Sequence, residues 1–298
     1  MSISASVLRP APRLNVTSGR VFPLPAPRLL DFEHQETAES LYLTLRSSAP
    51  AHISQALLDE LRANGRQIRA GAYGSIRYRL LLSARPAVFS LGGDLDFFLR
   101  CIKERDAERL LGYGLAAVDG IWDNLTGCGM PQLTTVAVIQ GDAQGGGFEA
   151  ALSCHAIIAE AGSRFGFPES LFGLFPGMGA RELITARADH EVAERMVSTP
   201  HRYPAELLFE LGLVDYLVPQ GQGRVFAEEL STLPPSPATL KRRQALAAIR
   251  YNSLVASVER WVRTAMDLPA RQLRIMRYLL DAQRGREPAG FPKAPPAP

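Results

Sequence analysis

A strand, three glycines and a carboxylate, in that order, constrain this chain more than any other stretch. Leu133 to Gln140 is an apolar, strand-like run that breaks at Gly141 and Asp142. Gly145, Gly146 and Gly147 follow, and then a helix-compatible stretch from Phe148 to Cys154. A glycine-rich start to a helix leaves backbone N–H groups unpaired and sterically open, which suits binding of an oxyanion. Glu149 falls in that first turn, so an N–H donor and a carboxylate can face one cavity. A second carboxylate, Glu169, sits in the frame Phe165-Gly-Phe-Pro-Glu169-Ser-Leu-Phe-Gly173. Donors fixed where negative charge develops, beside groups that move protons, are the parts that enolate chemistry needs.

Around this segment strand and helix signals alternate. Leu41–Leu45 and Ile76–Ser83 read as strands, and Ser54–Ala63 as a helix. Helical periodicity runs from Leu95 to about Leu125 with a break near Arg105, and Asp94 is placed to cap its start. Ala156–Ala159 is a short apolar strand, and Pro204–Leu211 a helix stopped by Gly212 ahead of a strand over Leu213–Val218. Such alternation predicts an α/β layered domain. After Pro234, Pro235 and Pro237 the pattern turns helical, over Leu240–Tyr251, Leu254–Met266 and Ala270–Gln283. The expected organisation is a Pro-rich arm over 1–37, an α/β core over 38–230, a helical C-terminal subdomain over 231–286 and a disordered Pro-rich tail over 287–298.

Composition excludes several classes. A chain of 298 residues with 46% hydrophobic and 21% charged residues is ordinary for a globular protein. No apolar run approaches the roughly 18–20 residues of a membrane span, and the first residues lack the apolar core of a secretory signal, so a cytoplasmic location is expected. A net charge of +3 is too mild to imply nucleic acid. Cys101, Cys128 and Cys154 form no metal-ligand spacing or disulfide framework, and neither a metal nor another cofactor is expected. Cys154 and His155 are neighbours, yet adjacent helical residues point about 100° apart, which disfavours a Cys–His nucleophile. The densest basic run, Lys241-Arg242-Arg243, reads as a solvated helix face or as a docking patch for an acidic partner.

Four ordered segments then carry a resemblance. Phe89-Ser-Leu-Gly-Gly-Asp-Leu95, Gly145-Gly-Gly-Phe-Glu-Ala150, Phe165–Glu169 with Leu174–Gly179, and Glu206–Asp215 resemble, in order and spacing, the crotonase (enoyl-CoA hydratase/isomerase) superfamily. The resemblance implies a crotonase-like α/β fold, the ββα-superhelix core, with a helical C-terminal subdomain. It implies that the N–H groups of Gly93 and Gly146 form an oxyanion hole for a thioester carbonyl, and that Glu149 and Glu169 are the acid/base pair. Bulk at Gly146 is therefore expected to do more harm than bulk at Gly145. The family's habit also implies a homotrimer or hexamer. The Pro-rich arm, the segment 166–179 and Arg274–Gln283 are similar to the diffusible-signal-factor synthases, which make cis-2-enoic fatty acid signals. That narrower resemblance implies dehydration of a medium-chain 3-hydroxyacyl thioester followed by thioester hydrolysis, and a sensor-kinase receiver domain as a further partner. The stretch Leu41–Ser54 lacks the family's Arg-Pro…Asn-Ala signature near the nucleotide site, which favours acyl carrier protein over CoA as the carrier. A β-oxidation enoyl-CoA hydratase and a crotonase-fold regulatory binding protein are the alternatives.

Each glutamate also has a plainer reading, since a carboxylate in a helix's first turn is stabilised by the macrodipole. An apolar neighbourhood around Glu149 predicts a raised pKa, with the second carboxylate raising one member further. Leu174 and Met178, and Val258 and Trp261 on one helix face, are candidates for an acyl pocket, with core packing as the alternative.

Overall fold

The computed structural model describes residues 28–85 and 87–284. The expected tail and residues 1–27 of the expected arm lie outside the described residues. A hairpin of β1 (Leu30–Gln35) and β2 (Ser40–Leu45) leads to α1 (Gln55–Arg69). Three strand–strand–helix units follow. The first is β3 (Tyr78–Ser83), β4 (Ala87–Ser90) and α2 (Leu95–Glu104), with α3 (Ala107–Leu125) behind it. The second is β5 (Thr134–Ile139), β6 (Gly141–Gln144) and α4 (Gly146–Leu152). The third is β7 (Ala156–Glu160), β8 (Arg164–Gly166) and a 3-10 turn over Pro168–Phe172, followed by α5 (Ala180–Arg187) and α6 (His190–Ser198). Next come β9 (Arg202–Pro204), α7 (Ala205–Glu210), β10 (Tyr216–Val218) and α8 (Gly223–Thr232), and then α9 (Pro237–Leu246), α10 (Tyr251–Met266) and α11 (Ala270–Gln283). Among the described residues no helix is long and apolar enough to cross a membrane.

The strands form two sheets, six in the order β1-β2-β3-β5-β7-β10 and four in the order β4-β6-β8-β9. Pairing in the large sheet is parallel except for the β1–β2 hairpin. Its central strands β3, β5 and β7 are buried throughout, as expected of a parallel sheet covered on both faces. One long apolar cluster packs α2, α3, α4, α5 and α6 against one face together with Leu254, Val258, Trp261 and Met276 from the C-terminal helices. A smaller cluster seats Ala227 of α8 on the other face.

Several boundaries follow the sequence reading and several do not. Ser54, Asp94 and Asp106 cap α1, α2 and α3, each side chain accepting a hydrogen bond from the N–H three residues on. The break falls at Arg105, which takes φ 60° between α2 and α3. Gly141 and Asp142, read as a break, instead begin β6. Glycine is required there because a Cβ at Gly141 would lie 2.0 Å from the Ala87 carbonyl carbon of the neighbouring strand. Leu30–Gln35, within the stretch expected as an arm, pairs with β2 along its whole length. The helix expected over Leu240–Tyr251 ends at Leu246, and Tyr251 starts the next one.

The basic run needs correction as a docking patch. Arg242 donates to the carbonyls of Arg187 and Gly212, at 2.5 and 2.7 Å. Arg243 donates to Pro131 O at 2.7 Å and to Thr134 Oγ1. These two arginines fasten α9 to the core, and of the three only Lys241 is exposed.

His155 is a satisfied core histidine. Its Nδ1 accepts from the Thr135 N–H at 3.1 Å, so Nε2 carries the proton and donates to Leu125 O at 3.1 Å. Burial holds its pKa down to about 4 and pushes the Cys154 thiol up to about 12, which leaves both uncharged and inert.

Helix α3 offers an internal test of packing. A Cβ at Gly114 would lie 2.4 Å from Val258 Cγ1 of α10, whereas one at Gly112 would meet nothing within 4 Å. Gly112→Ala should stabilise the protein by about 0.5–1 kcal/mol through helix propensity. Gly114→Ala should destabilise it by about 1–3 kcal/mol through overpacking. Urea unfolding of both variants reads the difference, and equal effects would refute the close α3–α10 crossing.

Candidate active site

Three segments meet where the small sheet ends. β4, β6 and β8 run parallel and adjacent, so their C-terminal ends lie side by side. Gly92 and Gly93 follow β4, Gly145 and Gly146 follow β6, and Glu169 follows β8 within the 3-10 turn. The Gly146 N–H opens the first turn of α4, where no intrahelical acceptor exists. A Cβ built on Gly146 would stand 3.9 Å from the Gly93 nitrogen, so the two backbone donors are neighbours.

Glu149 lies on α4 and is buried, with 1% exposure. Its Oε1 accepts from the N–H groups of Met178 at 2.7 Å and Ala180 at 3.1 Å. Ala180 is the first residue of α5, entered through Gly179 at φ 98°, so a helix N-terminus faces the carboxyl group. Burial nevertheless dominates, with the Glu169 charge second, and the Glu149 pKa is pushed up to about 8. Glu169 is only partly covered as a residue, yet its Oε2 is shut off from solvent and has no hydrogen-bond partner. Burial pushes its pKa up to about 7. A buried oxygen without a partner is costly in a core and serves where a substrate atom completes the bond.

The spacing of the two glutamates is set by aromatic packing. Phe148, next to Glu149, stacks on Phe167 with ring centroids 5.0 Å apart, and meets Phe165 at 5.1 Å. Phe165 and Phe167 belong to the segment that ends in Pro168 and Glu169, so α4 and the 3-10 turn are locked together.

Both carboxyl groups open into a cavity of about 300 Å³. All eight residues singled out from the sequence line it. Gly93, Gly146, Glu149 and Glu169 supply its backbone donors and carboxyl groups, and Leu174, Met178, Val258 and Trp261 supply apolar wall. Sequence reasoning missed other contributors: Ile53, Phe98 and Tyr113 from the α1–α3 region, and Leu279 from α11. The buried stripe Leu110, Tyr113, Ala117 on α3 is the signal that was available for Tyr113. Nothing local marks Ile53 or Leu279, whose roles arise from tertiary packing. Asp142, Gln144 and Arg202 form a polar side of the cavity, with Arg202 paired to Asp142.

The two glycines after β6 differ from expectation. A Cβ at Gly145 would lie 2.4 Å from Glu169 Oε1 at a backbone φ of 50°, and one at Gly146 would lie 2.7 Å from Met178 Cε. Both clashes are with the far end of a side chain, but only at Gly145 is the backbone also in the left-handed region, where a side chain is strained whatever the space. Gly145 is thus at least as intolerant of bulk as Gly146.

The chain is similar to known proteins in both sequence and fold. Residues 38–245 match the family model described as enoyl-CoA hydratase/isomerase, which is more than half of the chain. Among solved structures, human mitochondrial delta3-delta2-enoyl-CoA isomerase is similar at a TM-score of 0.71 and 20% identity, over 87% of this chain and 99% of that one. Enoyl-CoA hydratase from Bacillus halodurans is similar at 0.68 and 23%, over 84% and 99%. Pseudomonas aeruginosa DspI is similar at 0.57 and 23%, over 80% and 86%. The glyoxysomal fatty acid beta-oxidation multifunctional protein MFP-a of Brassica napus is 32% identical over 143 residues, 48% of this chain and 19% of that protein. The chain thus spans about a fifth of the length of the curated relatives it matches. With a crotonase-fold core, a helical C-terminal region and this match, the chain belongs to the enoyl-CoA hydratase/isomerase family.

Proposed function

We propose that the protein dehydrates a medium-chain 3-hydroxyacyl thioester to a cis-2-enoyl thioester and then hydrolyses it, releasing a free cis-2-enoic acid as the diffusible-signal-factor synthases do. One observation carries the reading. Two carboxyl groups with raised pKa values face one apolar cavity together with the Gly93 and Gly146 backbone donors. The thioester carbonyl accepts from those two N–H groups, and the polarisation acidifies the α-carbon. Glu169, with the lower pKa and an unengaged Oε2, takes the α-proton. Glu149 keeps its proton to higher pH, and with Oε1 held by two N–H groups its Oε2 delivers that proton to the departing 3-hydroxyl as water leaves. In the second step a glutamate activates a water that adds to the carbonyl carbon. The same donors hold the tetrahedral oxyanion, and the carrier thiol leaves. Leu174, Met178, Val258 and Trp261 form the wall that holds a bent chain.

An anionic carrier suits the cavity rim. Arg100, Arg277 and Arg284 converge on the single carboxylate of Asp96, close to the α11 residues that line the cavity. Acyl carrier protein is the proposed donor, with CoA as the other anionic carrier. Assembly as a homotrimer or hexamer, and docking of a receiver domain, rest on the family resemblance alone. The second reading is hydration of trans-2-enoyl-CoA, which the same two carboxyl groups perform in reverse, and the family match supports it as well.

Incubation with medium-chain 3-hydroxyacyl carrier protein and, separately, with the CoA ester decides between them. Mass spectrometry with double-bond assignment should find free cis-2-enoic acid from the carrier-bound substrate. Fast hydration of trans-2-enoyl-CoA with the thioester intact, and no free acid from either substrate, would overturn the proposal.

The acid/base roles predict kinetics. Glu149→Gln and Glu169→Gln should each lower kcat about 10²–10⁴-fold with the fold retained. Activity should rise as Glu169 ionises through about 7 and fall as Glu149 loses its proton through about 8, giving a narrow bell. A rate independent of pH between 6 and 9 would sink the assignment.

Stability should follow the same groups. The unfolded chain releases these protons near the ordinary value of 4.5, while the folded chain keeps them to about 7 and 8. Folding is therefore opposed increasingly as pH rises from 4.5 to 8. Relative to wild type, Glu149→Gln should raise the urea midpoint at pH 8 and leave it nearly unchanged at pH 4.5. The same shift at both pH values would count against a buried protonated Glu149.

A further inference from the structure

Tyr113 is a buried tyrosine that the chemistry above does not use. It lies on α3 with 5% exposure, and its ring lines the cavity. The hydroxyl donates to Ile53 O at 2.7 Å. The Ile53 N–H in turn donates to Gly92 O at 2.7 Å. The Gly92 carbonyl and the Gly93 N–H belong to one planar peptide unit, in which C=O and N–H point in opposite directions. Fixing the carbonyl end therefore aims the N–H end. Accepting a bond at the carbonyl also polarises the unit and strengthens the N–H as a donor.

The segment carrying Gly93 is held from several sides: the Gly92 N–H donates to Ser90 Oγ at 3.3 Å, and Asp94 caps α2 just beyond it. It meets Ile53 in an isolated bridge, supported by the Leu91 N–H donating to Ala51 O at 2.8 Å. Ile53 also touches the second donor residue, since a Cβ on Gly146 would lie 3.4 Å from Ile53 Cδ1. The phenol oxygen stands beside the first, 3.6 Å from where a Cβ on Gly93 would be. The ring itself is fixed by Phe97 and Phe98, with centroids at 5.3 and 5.2 Å, and Phe98 packs on Trp261 at 5.0 Å. Burial holds the phenol in its protonated form well above neutral pH, and its one proton is committed to Ile53. Such a group orients a neighbour and does not transfer protons.

We propose that Tyr113 is a positioning residue: through Ile53 it sets the plane of the Gly92–Gly93 peptide and so aims the Gly93 N–H at the thioester carbonyl. The proposal rests on the reading of Gly93 as an oxyanion donor. Tyr113→Phe keeps the ring and deletes the donor. Outright loss of an oxyanion donor costs about 10²–10³-fold, so misalignment should lower kcat about 10–100-fold while KM changes less than about threefold. A spectroscopic readout separates this from a packing role. The infrared carbonyl stretch of a saturated medium-chain acyl-CoA, ¹³C-labelled at the carbonyl, should fall on binding to wild type and fall clearly less on binding to Tyr113→Phe. 3-Fluorotyrosine placed at 113 keeps ring and donor, and should retain wild-type kcat and carbonyl shift. A Tyr113→Phe variant with wild-type kcat and carbonyl shift overturns the proposal, as does a tenfold loss with 3-fluorotyrosine. If the carbonyl stretch does not fall even in wild type, the oxyanion-donor reading of Gly93 is what fails.

Discussion

Parallel pairing of β4, β6 and β8 is the constraint on which the site depends. Each of these three strands follows a strand of the large sheet in sequence, and each ends in a segment that lines the cavity. Neighbouring strands lie about 4.8 Å apart, so three segments distant in sequence arrive within reach of one substrate. The crossing between sheets is tight, and Gly141 shows how tight, because the backbone of Ala87 occupies the place of its missing Cβ.

Once the segments are together, electrostatics follows from what surrounds them. Glu149 has two N–H partners and the N-terminus of α5, which favour its charged form, yet burial and Glu169 outweigh both. Glu169 has burial against it and no partner on Oε2. The pair therefore holds one proton strongly and a second one loosely near neutral pH. A stable core would replace such groups. Their retention in an apolar cavity is the form expected of acid/base machinery, where a substrate supplies the missing partner.

The glycine frames and the order of strands and helices were legible because both are local. Glycine and proline mark turns wherever they fall, and capping residues such as Asp94 announce a helix start within four residues. What stayed hidden was decided at long range. Gly141–Gln144 reads as a turn, and its strand character comes from pairing with Ala87–Ser90. Arg242 and Arg243 read as a charged surface, and only the folded chain brings the carbonyls of Arg187, Gly212 and Pro131 to them. Tyr113 offered a place on a buried helix stripe but no hint of Ile53, sixty positions away. The joint presence of the eight candidate residues in one cavity likewise needed the fold, since half of them lie on segments that are separately unremarkable.

The C-terminal helices complete the cavity as part of the same core. On α10, Leu254, Val258 and Trp261 follow helical spacing along one face. Each fills the space left by a glycine: Leu254 against Gly179, Val258 against Gly114 and Trp261 against Gly177. Two of those glycines flank Met178, whose N–H holds Glu149, so the packing of α10 and the geometry of the acid are one arrangement. The large side chains on α10 thus do two things at once. Val258 and Trp261 wall the cavity, and Leu254 and Trp261 press the 177–179 loop onto the Glu149 carboxyl group.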